Sequence, residues 1–259
     1  MTHGRSIARL LDFDGRQPSY YGAPDAFAEP MRGGSFVGDT RSGGSCNASV
    51  LTLNPHCNGT HTECVGHVTE ERRNVVDVLP YRRIRALLVS LPATRAATCD
   101  ERTPDSCQSD DLLLCARDLQ RFAGAALAHA DALVVRTLPN TANKATRQYL
   151  DNDDYPYFTH DALDAIVAAD IHHLLIDTPS LDRLDDGGKL ALHRHFWNLP
   201  AGATSVNDVT RADCTITEMI YVPDDIVDGE YQLALQHARF SGDAVPSNPV
   251  LYALDEAAL

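Results

Sequence analysis

The sequence predicts an α/β fold, and two features support this class. Apolar runs of strand length alternate with stretches of helical periodicity through the middle of the chain, as they do in α/β proteins. The chain has 259 residues, of which 44% are hydrophobic and 22% charged, so it can bury a sizeable core. Because we find no internal repeat, low-complexity tract or defensible boundary, we predict one domain over residues 1–259.

The first predicted elements are strands. Residues 1–45 are rich in Gly, Pro, Ser and Asp with little periodicity, which predicts a loop-rich N-terminal segment with one or two short strands. Residues 47–54 are β-branched and partly alternating, and they predict a strand that leads towards His56. Residues 84–91 are typical of a buried strand, whereas residues 96–110 are polar and turn-rich.

The second half of the chain continues the alternation. Apolar residues at helical spacing predict a helix between residues 110 and 130, followed by a strand over residues 132–137. Residues 138–158 form a long polar connection, and such connections in compact domains are often functional. A helix is predicted over residues 160–169, with Thr159 as its N-cap. The last predicted elements are a strand over residues 173–178, a short helix over residues 189–197 and a strand over residues 215–222.

Composition excludes several classes of function. The formal net charge of −14 argues against nucleic acid and against an anionic membrane surface as partners, because both bind clustered Lys and Arg. No apolar run approaches the roughly 20 residues that a membrane helix needs. No apolar segment follows the positive charge near the N-terminus, so we expect no secretory signal. The seven cysteines form no Cys-x-x-Cys pair, and reduced thiols in a cytoplasmic protein are the simplest interpretation.

The residues with the clearest chemistry lie between His56 and His67. Three His and one Glu fall within these twelve residues, and imidazole and carboxylate groups are the usual ligands of Zn²⁺ or Mn²⁺ in hydrolytic sites. On extended backbone His61 and Glu63 would point to the same face, because the strand period is two. Gly59 permits a backbone turn that brings His56 round to that face. His67 would be a third ligand or a general base.

Two other interpretations of this segment compete with a hydrolytic metal site. A polar loop with solvated or backbone-capping histidines would explain a single His, but it explains the pattern His-x4-His-x-Glu-x3-His poorly. Cys57 and Cys64 would be the ligands of a zinc site, but their spacing does not fit the common Cys-x2–4-Cys knuckle. The sequence therefore favours a site in which bound metal polarises a carbonyl and lowers the pKa of water.

A distant Glu has the properties of a further ligand. In the predicted strand over residues 215–222, alternation places Glu218 on one face with Ile216, Ile220 and Val222. Burying an unpaired carboxylate on such an apolar face costs several kcal/mol, so Glu218 should have a partner. The pattern alone leaves a metal ion and an Arg as equally good partners.

Two histidines lie in the predicted helix over residues 189–197. His193 adjoins Phe196 and Trp197 at the i+3 and i+4 positions, on the side nearer the apolar stripe. His195 lies about 200° away round the helix, so at most one of the two faces a given site. The pattern alone favours His193 as a core-edge histidine that is hydrogen-bonded to backbone.

Residues 56–67 resemble the signature of the kynurenine formamidase/cyclase family of metal-dependent hydrolases. That signature reads His-x-Gly-Thr-His-x-Asp-x-Pro-x-His, and its Gly-Thr-His core is present here. Later segments follow the family's order. They are a strand resembling Val-x-x-Arg-Thr at residues 132–137, a segment resembling Gly-x-Asp-x-x-Ser-x-Asp at residues 173–182, the later His at residues 192–194 and Ile-x-Glu at residues 216–218.

The chain also departs from the signature. Two residues stand between His56 and Gly59 where the signature has one. Glu63 replaces the signature Asp and Val65 replaces its Pro, and the gap between the later His and Glu is long. The chain therefore resembles a divergent branch of the family.

The resemblance implies a fold, an activity and a cofactor. The fold is an α/β swivelling β/β/α domain with mixed sheets and flanking helices, usually in a homodimer or larger homo-oligomer. The activity is hydrolysis of a C–N amide-type bond in a small-molecule substrate, for instance N-formylkynurenine or the lactam of isatin. The cofactor is a divalent metal, Zn or Mn, with one or two ions per chain.

The resemblance also assigns roles to residues. The metal ligands it implies are five side chains: His56, His61, Glu63, His193 and Glu218. The first three would hold one ion, and Glu63 would share a second ion with the last two. His67 would be the general base or proton shuttle, which passes a proton to the leaving amine after metal-activated water attacks the carbonyl.

Neighbouring residues are candidates for supporting roles. Thr60 and Thr62 would orient the ligands. Trp197 and the segment Tyr149–Tyr157 would either line a pocket for an aromatic substrate or belong to the core and to dimer contacts.

Three rival functions remain open from the sequence. A lactonase, or a cyclase/dehydratase in a biosynthetic pathway, would use the same metal site on another bond. A non-catalytic, metal-dependent protein that binds a small molecule would keep the ligands without turnover. A structural zinc protein would unfold on chelation and would have no open coordination position.

Overall fold

The computed structural model describes residues 3–79, 81–150 and 154–254. Within these residues, most strands belong to one large mixed sheet. The strands are β1 (Arg5–Ser6), β2 (Phe27–Pro30), β3 (Arg32–Gly33), β4 (Phe36–Val37), β5 (Ser49–Thr52), β6 (His61–Cys64), β7 (Ile84–Pro92), β8 (Thr94–Arg95), β9 (Leu112–Leu114), β10 (Ala132–Leu138), β11 (Tyr157–Phe158), β12 (His173–Ile176), β13 (Thr215–Glu218), β14 (Gly229–His237) and β15 (Ala244–Ala253). The α-helices are α1 (Val75–Val78), α2 (Ala116–Ala123), α3 (His160–Ala168) and α4 (Ala191–Phe196), and 3-10 helices cover Thr40–Ser42, Val65–Val68, Ala96–Thr98, Gly124–His129 and Ala142–Thr146.

The large sheet closes on itself. Its strand order is β1-β15-β14-β7-β10-β12-β13-β6, and β6 pairs with β15 as well as with β13. Strands β7, β10, β12 and β13 are parallel neighbours, whereas the pairings of β1, β6, β14 and β15 are antiparallel. The α/β class with a mixed sheet, predicted from the sequence, is therefore confirmed.

Both faces of the sheet are buried, which explains its continuous apolar runs. Along β10, Leu133 and Val135 join an outer core, whereas Ala132 and Val134 join an inner core on the other face. Because side chains alternate between the faces, a strand covered on both sides is apolar at every position. Helices α2, α3 and α4 pack in the outer core, to which they contribute Leu119, Leu163, Leu192 and Phe196, whereas Val75 of α1 joins the inner core.

Most of the predicted elements are present. The strands predicted over residues 84–91 and 132–137 are β7 and β10. The helix predicted over residues 160–169 is α3, and the Thr159 Oγ1 atom accepts a hydrogen bond from the backbone N–H of Ala162, as an N-cap does. Shorter strands than predicted are found within residues 47–54, 173–178 and 215–222.

The helix predicted between residues 110 and 130 is wrong at both ends. The segment opens with strand β9, which pairs with β8 and β11 in a separate three-stranded sheet. Helix α2 covers eight residues and gives way to a 3-10 helix at Gly124, whose φ of 53° favours glycine. Strand pairing at a distance therefore overrides the helical spacing of the apolar residues.

The strand predicted over residues 215–222 ends at Glu218. Met219 has a φ of 57°, which breaks the extended backbone. The predicted alternation is therefore wrong beyond Glu218, since Ile216 packs in the outer core and Ile220 in the inner core. This bend leaves the Glu218 side chain at the end of a strand.

Two further differences concern irregular backbone. Helix α4 is shorter than the predicted helix over residues 189–197, since Leu190 has a φ of 48°. The connection predicted over residues 138–158 contains a 3-10 helix and ends in β11, and its residues 151–153 lie outside the described part of the chain. Across the described ranges, no helix is long and apolar enough to cross a membrane.

Candidate metal centre

The candidate centre begins at the pairing of β6 with β13. His61 and Glu63 project towards the same centre, as the strand period predicts, and the register places Glu218 opposite His61. The His61 Nε2 atom lies 3.5 Å from the Glu218 Oε2 atom. All three side chains are buried. One pair of antiparallel strands thus fixes an imidazole and two carboxylates in one site.

His56 reaches the centre from a turn that precedes β6. The backbone N–H of Asn58 donates to the Asn54 carbonyl at 2.9 Å, and this turn absorbs the residue that is additional to the family signature. Gly59 has a φ of 85°, the left-handed region that favours glycine. As a result, the His56 Nδ1 atom lies 3.0 Å from the Glu63 Oε2 atom.

His193 enters the centre from helix α4. Its Nδ1 atom donates to the buried Asp182 carboxylate at 2.5 Å. Its Nε2 atom lies 2.9 Å from Glu63 Oε1 and 3.3 Å from Glu218 Oε1. His195 contacts helix α3 instead, as expected if one of the two histidines faces the site. The sequence contained a signal for Asp182, because it lies in the segment that resembles the family.

His67 lies at the edge of the centre, in the 3-10 helix after β6. Its Nε2 atom is 4.0 Å from Glu63 Oε2. Its ring centroid is 4.3 Å from that of His56 and 5.7 Å from that of His193. The side chain is a quarter exposed, so His67 can meet both the buried groups and a molecule that enters from solvent.

A buried polar atom without a hydrogen-bond partner points into the centre. Within the described structure this atom is His61 Nε2, and the Glu218 Oε2 atom lies 3.5 Å from it. Because His61 Nδ1 donates to the Gly59 carbonyl at 3.1 Å, the Nε2 atom of the neutral ring presents a lone pair. A lone pair that faces carboxylate oxygens is repelled unless a cation lies between them. The nitrogen and oxygen donors present therefore fit a divalent metal.

The two buried carboxylates stay ionised. Burial raises the pKa of Glu63, but the charges of His67 and His193 outweigh this effect and hold it well below its ordinary value. Burial and the charge of Glu63 raise the pKa of Glu218, but its contacts with His193 and His61 outweigh these effects and lower it below its ordinary value. The centre therefore holds two negative charges that need compensation.

Protonated imidazoles provide this compensation when no cation does. Burial lowers the pKa of His56, but its contacts with Asp243 and Glu63 raise it to about 10. Burial also lowers the pKa of His193, and the charge of Glu63 with the Asp182 contact raises it well above its ordinary value. Because metal ligands must be deprotonated, a bound cation would replace these protons.

The structure brings together the residues that the sequence singled out. Ligand atoms of His56, His61 and Glu63 lie within 4.8 Å of one another, and so do those of Glu63, His67 and His193. The first set is the one that the resemblance assigns to a single ion. The second set shows that His67, which the resemblance makes a base, also has the geometry of a ligand.

Sequence reasoning missed Asp243. The His56 Nε2 atom donates to Asp243 Oδ2 at 2.8 Å, and His67 Nδ1 lies 3.7 Å from the same oxygen. Asp243 precedes β15, which pairs with β6. No motif surrounds Asp243 in the sequence, because its place in the centre results from a pairing between distant segments.

Thr60 and Thr62 contact neighbouring backbone and side chains. The Thr60 Oγ1 atom donates to the Met219 carbonyl at 2.6 Å, and the hydroxyls of Thr62 and Thr217 lie 2.8 Å apart. These contacts join the segments that carry His61 and Glu218. The two threonines therefore act on the ligands through the backbone of β6 and β13.

A cavity of about 410 Å³ connects the centre to solvent. Its wall includes Tyr20 and Tyr21 on one side and residues 183–188 on another. The base of the cavity is formed by His56, Glu63, His67, His193 and Glu218. A cavity of this size suits a small molecule.

Trp197 does not line the cavity, which was one of the two roles predicted for it. Trp197 is buried in the core, where its indole N–H donates to the Cys214 carbonyl at 3.0 Å. Tyr155 is also buried, and its hydroxyl lies 3.1 Å from that of Tyr20. The core alternative therefore holds for Trp197, and the aromatic rings at the cavity are those of Tyr20 and Tyr21.

The fold and the candidate centre together define a protein of the cyclase type. The chain belongs to the cyclase family, because the family model described as "Putative cyclase" matches residues 11–183. This match confirms the resemblance inferred from residues 56–67. A search of curated proteins found no match.

Solved structures with this fold have little sequence in common with the chain. An isatin hydrolase bound to the product analogue thioisatinate has a TM-score of 0.65 at 14% identity, over 98% of this chain and 93% of that chain. Isatin hydrolase A from Ralstonia solanacearum has a TM-score of 0.61 at 14% identity, over 97% and 92%. A predicted metal-dependent hydrolase from Bacillus stearothermophilus has a TM-score of 0.59 at 14% identity, over 98% and 100%. At these identities the likeness shows the fold.

Proposed function

We propose that the protein hydrolyses a C–N amide-type bond of a small molecule, either a formyl-aryl amide or a lactam. The observation that carries this proposal is the buried set of imidazoles and carboxylates at the base of an open cavity. The fold is shared with isatin hydrolases, whose name describes the opening of a lactam. The same chemistry suits this chain.

The proposed cofactor is one or two divalent ions, Zn or Mn. His56, His61 and Glu63 would hold one ion, and Glu63, His193 and Glu218 would hold a second. Mixed imidazole and carboxylate donors suit both metals. A bound divalent ion would polarise the substrate carbonyl and lower the pKa of water.

The chain's own residues divide the remaining work. His67 lies beside Glu63 at the cavity and would take a proton from water and pass it to the leaving nitrogen. Asp182 holds His193 through Nδ1, which keeps the Nε2 atom directed at the carboxylates. Four of the five proposed ligands are buried, so their direction is set by the protein: His61, Glu63, His193 and Glu218.

The cavity wall includes an ion-paired arginine and a neutral tyrosine, which suit an aromatic substrate. The Arg183 guanidinium is at the cavity, but it donates to the Asp111 carboxylate at 2.8 Å and to the Asp185 carbonyl at 2.7 Å. These two bonds hold the guanidinium in place beside the cavity and partly neutralise its charge. Burial raises the pKa of Tyr20 to about 12, so its ring offers a neutral phenol to an aromatic substrate.

The test is a turnover screen with the metal-loaded full chain. Formyl-aryl amides and lactams are expected to be hydrolysed, and His67→Ala is expected to reduce turnover by roughly 10²-fold or more with metal retained. His129→Ala, a change of an exposed histidine, is the matched control. Hydrolysis of lactones alone would favour the lactonase alternative, and bound metal without turnover would favour a binding protein.

We also propose that the protein forms a homodimer through the sheet of β2 and β5. A two-stranded sheet is marginally stable by itself, so a covering surface would stabilise it. Both of its faces expose large apolar side chains: the register places Phe27, 46% exposed, and Val50 on one face and Leu51, 55% exposed, on the other. Apolar surface of this kind marks protein contacts.

A further inference from the structure

We propose that Asp243 is a positioning residue, whose carboxylate fixes the ring of His56 so that Nδ1 faces the metal. The inference rests on the proposed metal-dependent function. It assigns to Asp243 a role that no signature residue fills, because Asp243 lies just before β15 and outside the matched residues 11–183.

The hydrogen bonds of His56 define which nitrogen is free. The Asp243 Oδ2 atom is 2.8 Å from His56 Nε2, and an ionised carboxylate accepts only, so Nε2 carries the proton. In the neutral ring, Nδ1 then has the lone pair. That atom lies 3.0 Å from Glu63 Oε2, a distance that suits two donors on neighbouring positions of one ion.

Two carboxylates contact the His56 ring: Glu63 on the side of the proposed metal, and Asp243 on the opposite nitrogen. Its side chain is a quarter exposed and comes from a turn, whereas His61 is buried on a strand. A carboxylate behind a ligating imidazole fixes both the tautomer and the direction of the ring. Asp243 thus supplies for His56 what Asp182 supplies for His193.

The same carboxylate oxygen is close to His67. The His67 Nδ1 atom lies 3.7 Å from Asp243 Oδ2, and the rings of His56 and His67 are 4.3 Å apart. Asp243 therefore lies between a proposed ligand and the proposed base. Its hydrogen bond sets the direction of the His56 ring, and its charge lies beside the His67 ring.

The backbone of Asp243 is held independently of its side chain. The N–H of Cys64 donates to the Asp243 carbonyl at 2.9 Å, and the N–H of Val75 donates to the Gly242 carbonyl at 2.9 Å. The next residue, Ala244, pairs with Glu63 across β15 and β6. Truncation of the side chain is therefore expected to leave the loop in place.

The test measures metal binding by the full chain, with Zn²⁺ or Mn²⁺ alone as the titrant. Asp243→Ala is expected to weaken affinity by roughly 10- to 100-fold at unchanged stoichiometry. Asp243→Asn keeps an oxygen acceptor for the His56 Nε2–H and is expected to recover part of the loss. Asp208→Ala removes an exposed carboxylate and is expected to bind metal as the parent chain does.

Two results would overturn the inference while leaving the proposed function in place. One is equal affinity in the parent chain and Asp243→Ala. The other is the loss of one ion per chain in Asp243→Ala, which would make Asp243 a ligand. Failure of the parent chain itself to bind metal would instead overturn the proposed function together with the inference. A thermal unfolding curve without metal shows that each variant is folded.

Discussion

At the scale of residues, hydrogen bonds orient the imidazole rings of the centre. Three rings each donate through one nitrogen to a protein oxygen and direct the other towards Glu63 or Glu218. These pairs are His61 with the Gly59 carbonyl, His193 with Asp182 and His56 with Asp243. The rings are therefore oriented before any ion arrives, which lowers the cost of ordering them.

Charge balance at the residue scale links metal binding to protons. The pKa of His56 is raised to about 10 by Asp243 and Glu63 despite burial, so this ring is protonated at neutral pH when no cation is present. A ligand must lose that proton. The proposed site therefore exchanges protons for metal.

Individual ligands differ in how far the sequence predicts them. His61 and Glu63 follow from strand alternation, because both side chains of a two-residue repeat share a face. For Glu218, pattern alone leaves a metal ion and an Arg equally good as partners. For His193, pattern alone favours a core-edge histidine. The family resemblance was needed to select both as ligands. Asp243 has no local signal, because the pairing of β15 with β6 creates its contacts.

At the scale of elements, β12 starts with a buried histidine. His173 Nδ1 lies 2.8 Å from the Thr215 hydroxyl on the neighbouring strand β13. Burial lowers the pKa of His173 from 6.5 to about 4, with a smaller contribution from the charge of His172. The folded chain thus keeps this imidazole neutral, where the unfolded chain would take up a proton.

This difference predicts a loss of stability in acid. The folded-state pKa of His173 is depressed, so the unfolded chain binds a proton at a higher pH than the folded chain does. The free energy of unfolding is therefore unaffected by this group above pH 6.5 and falls by about 3 kcal/mol in total as the pH drops towards 4. Urea unfolding at several pH values should show a shallower loss for His173→Asn than for the parent chain. His129→Asn, at an exposed position, should follow the parent chain, and equal slopes for all three would refute the account.

Elements with tertiary partners on both faces were the easiest to predict. β7 and β10 are buried on both faces, and their sequences are therefore nearly continuous apolar runs. The helix predicted between residues 110 and 130 was partly wrong because the leucines at the start of this segment form β9. The strands that pair with β9, which are β8 and β11, are short and lie elsewhere in the sequence. Strand β13 ends because Met219 has a left-handed backbone conformation. Methionine has no preference for this conformation, so the sequence did not predict where the strand ends.

At the scale of the whole molecule, closure of the sheet creates the site. β6 pairs with both β13 and β15, so residues 61–63 lie between segments that are far away along the chain. The alternation of strands and helices predicted the α/β class. It did not predict closure, because antiparallel pairing between distant strands leaves no local pattern.

The exposed apolar sheet predicts the oligomeric state. If β2 and β5 form the dimer surface, light scattering should give twice the chain mass, and Leu51→Glu should reduce it to the chain mass by placing a charge in the contact. Val227→Glu changes an exposed apolar residue before β14 and is the matched control. A monomeric parent chain, or a dimeric Leu51→Glu, would contradict this surface.

The most direct test of the metal centre is elemental analysis of the purified chain and two variants. The account predicts one or two Zn or Mn ions per parent chain and loss of metal in both His61→Ala and Glu218→Ala. His129→Ala, which changes an exposed histidine, should retain the metal. A parent chain that is folded yet stays metal-free after incubation with Zn²⁺ and Mn²⁺ would contradict the account.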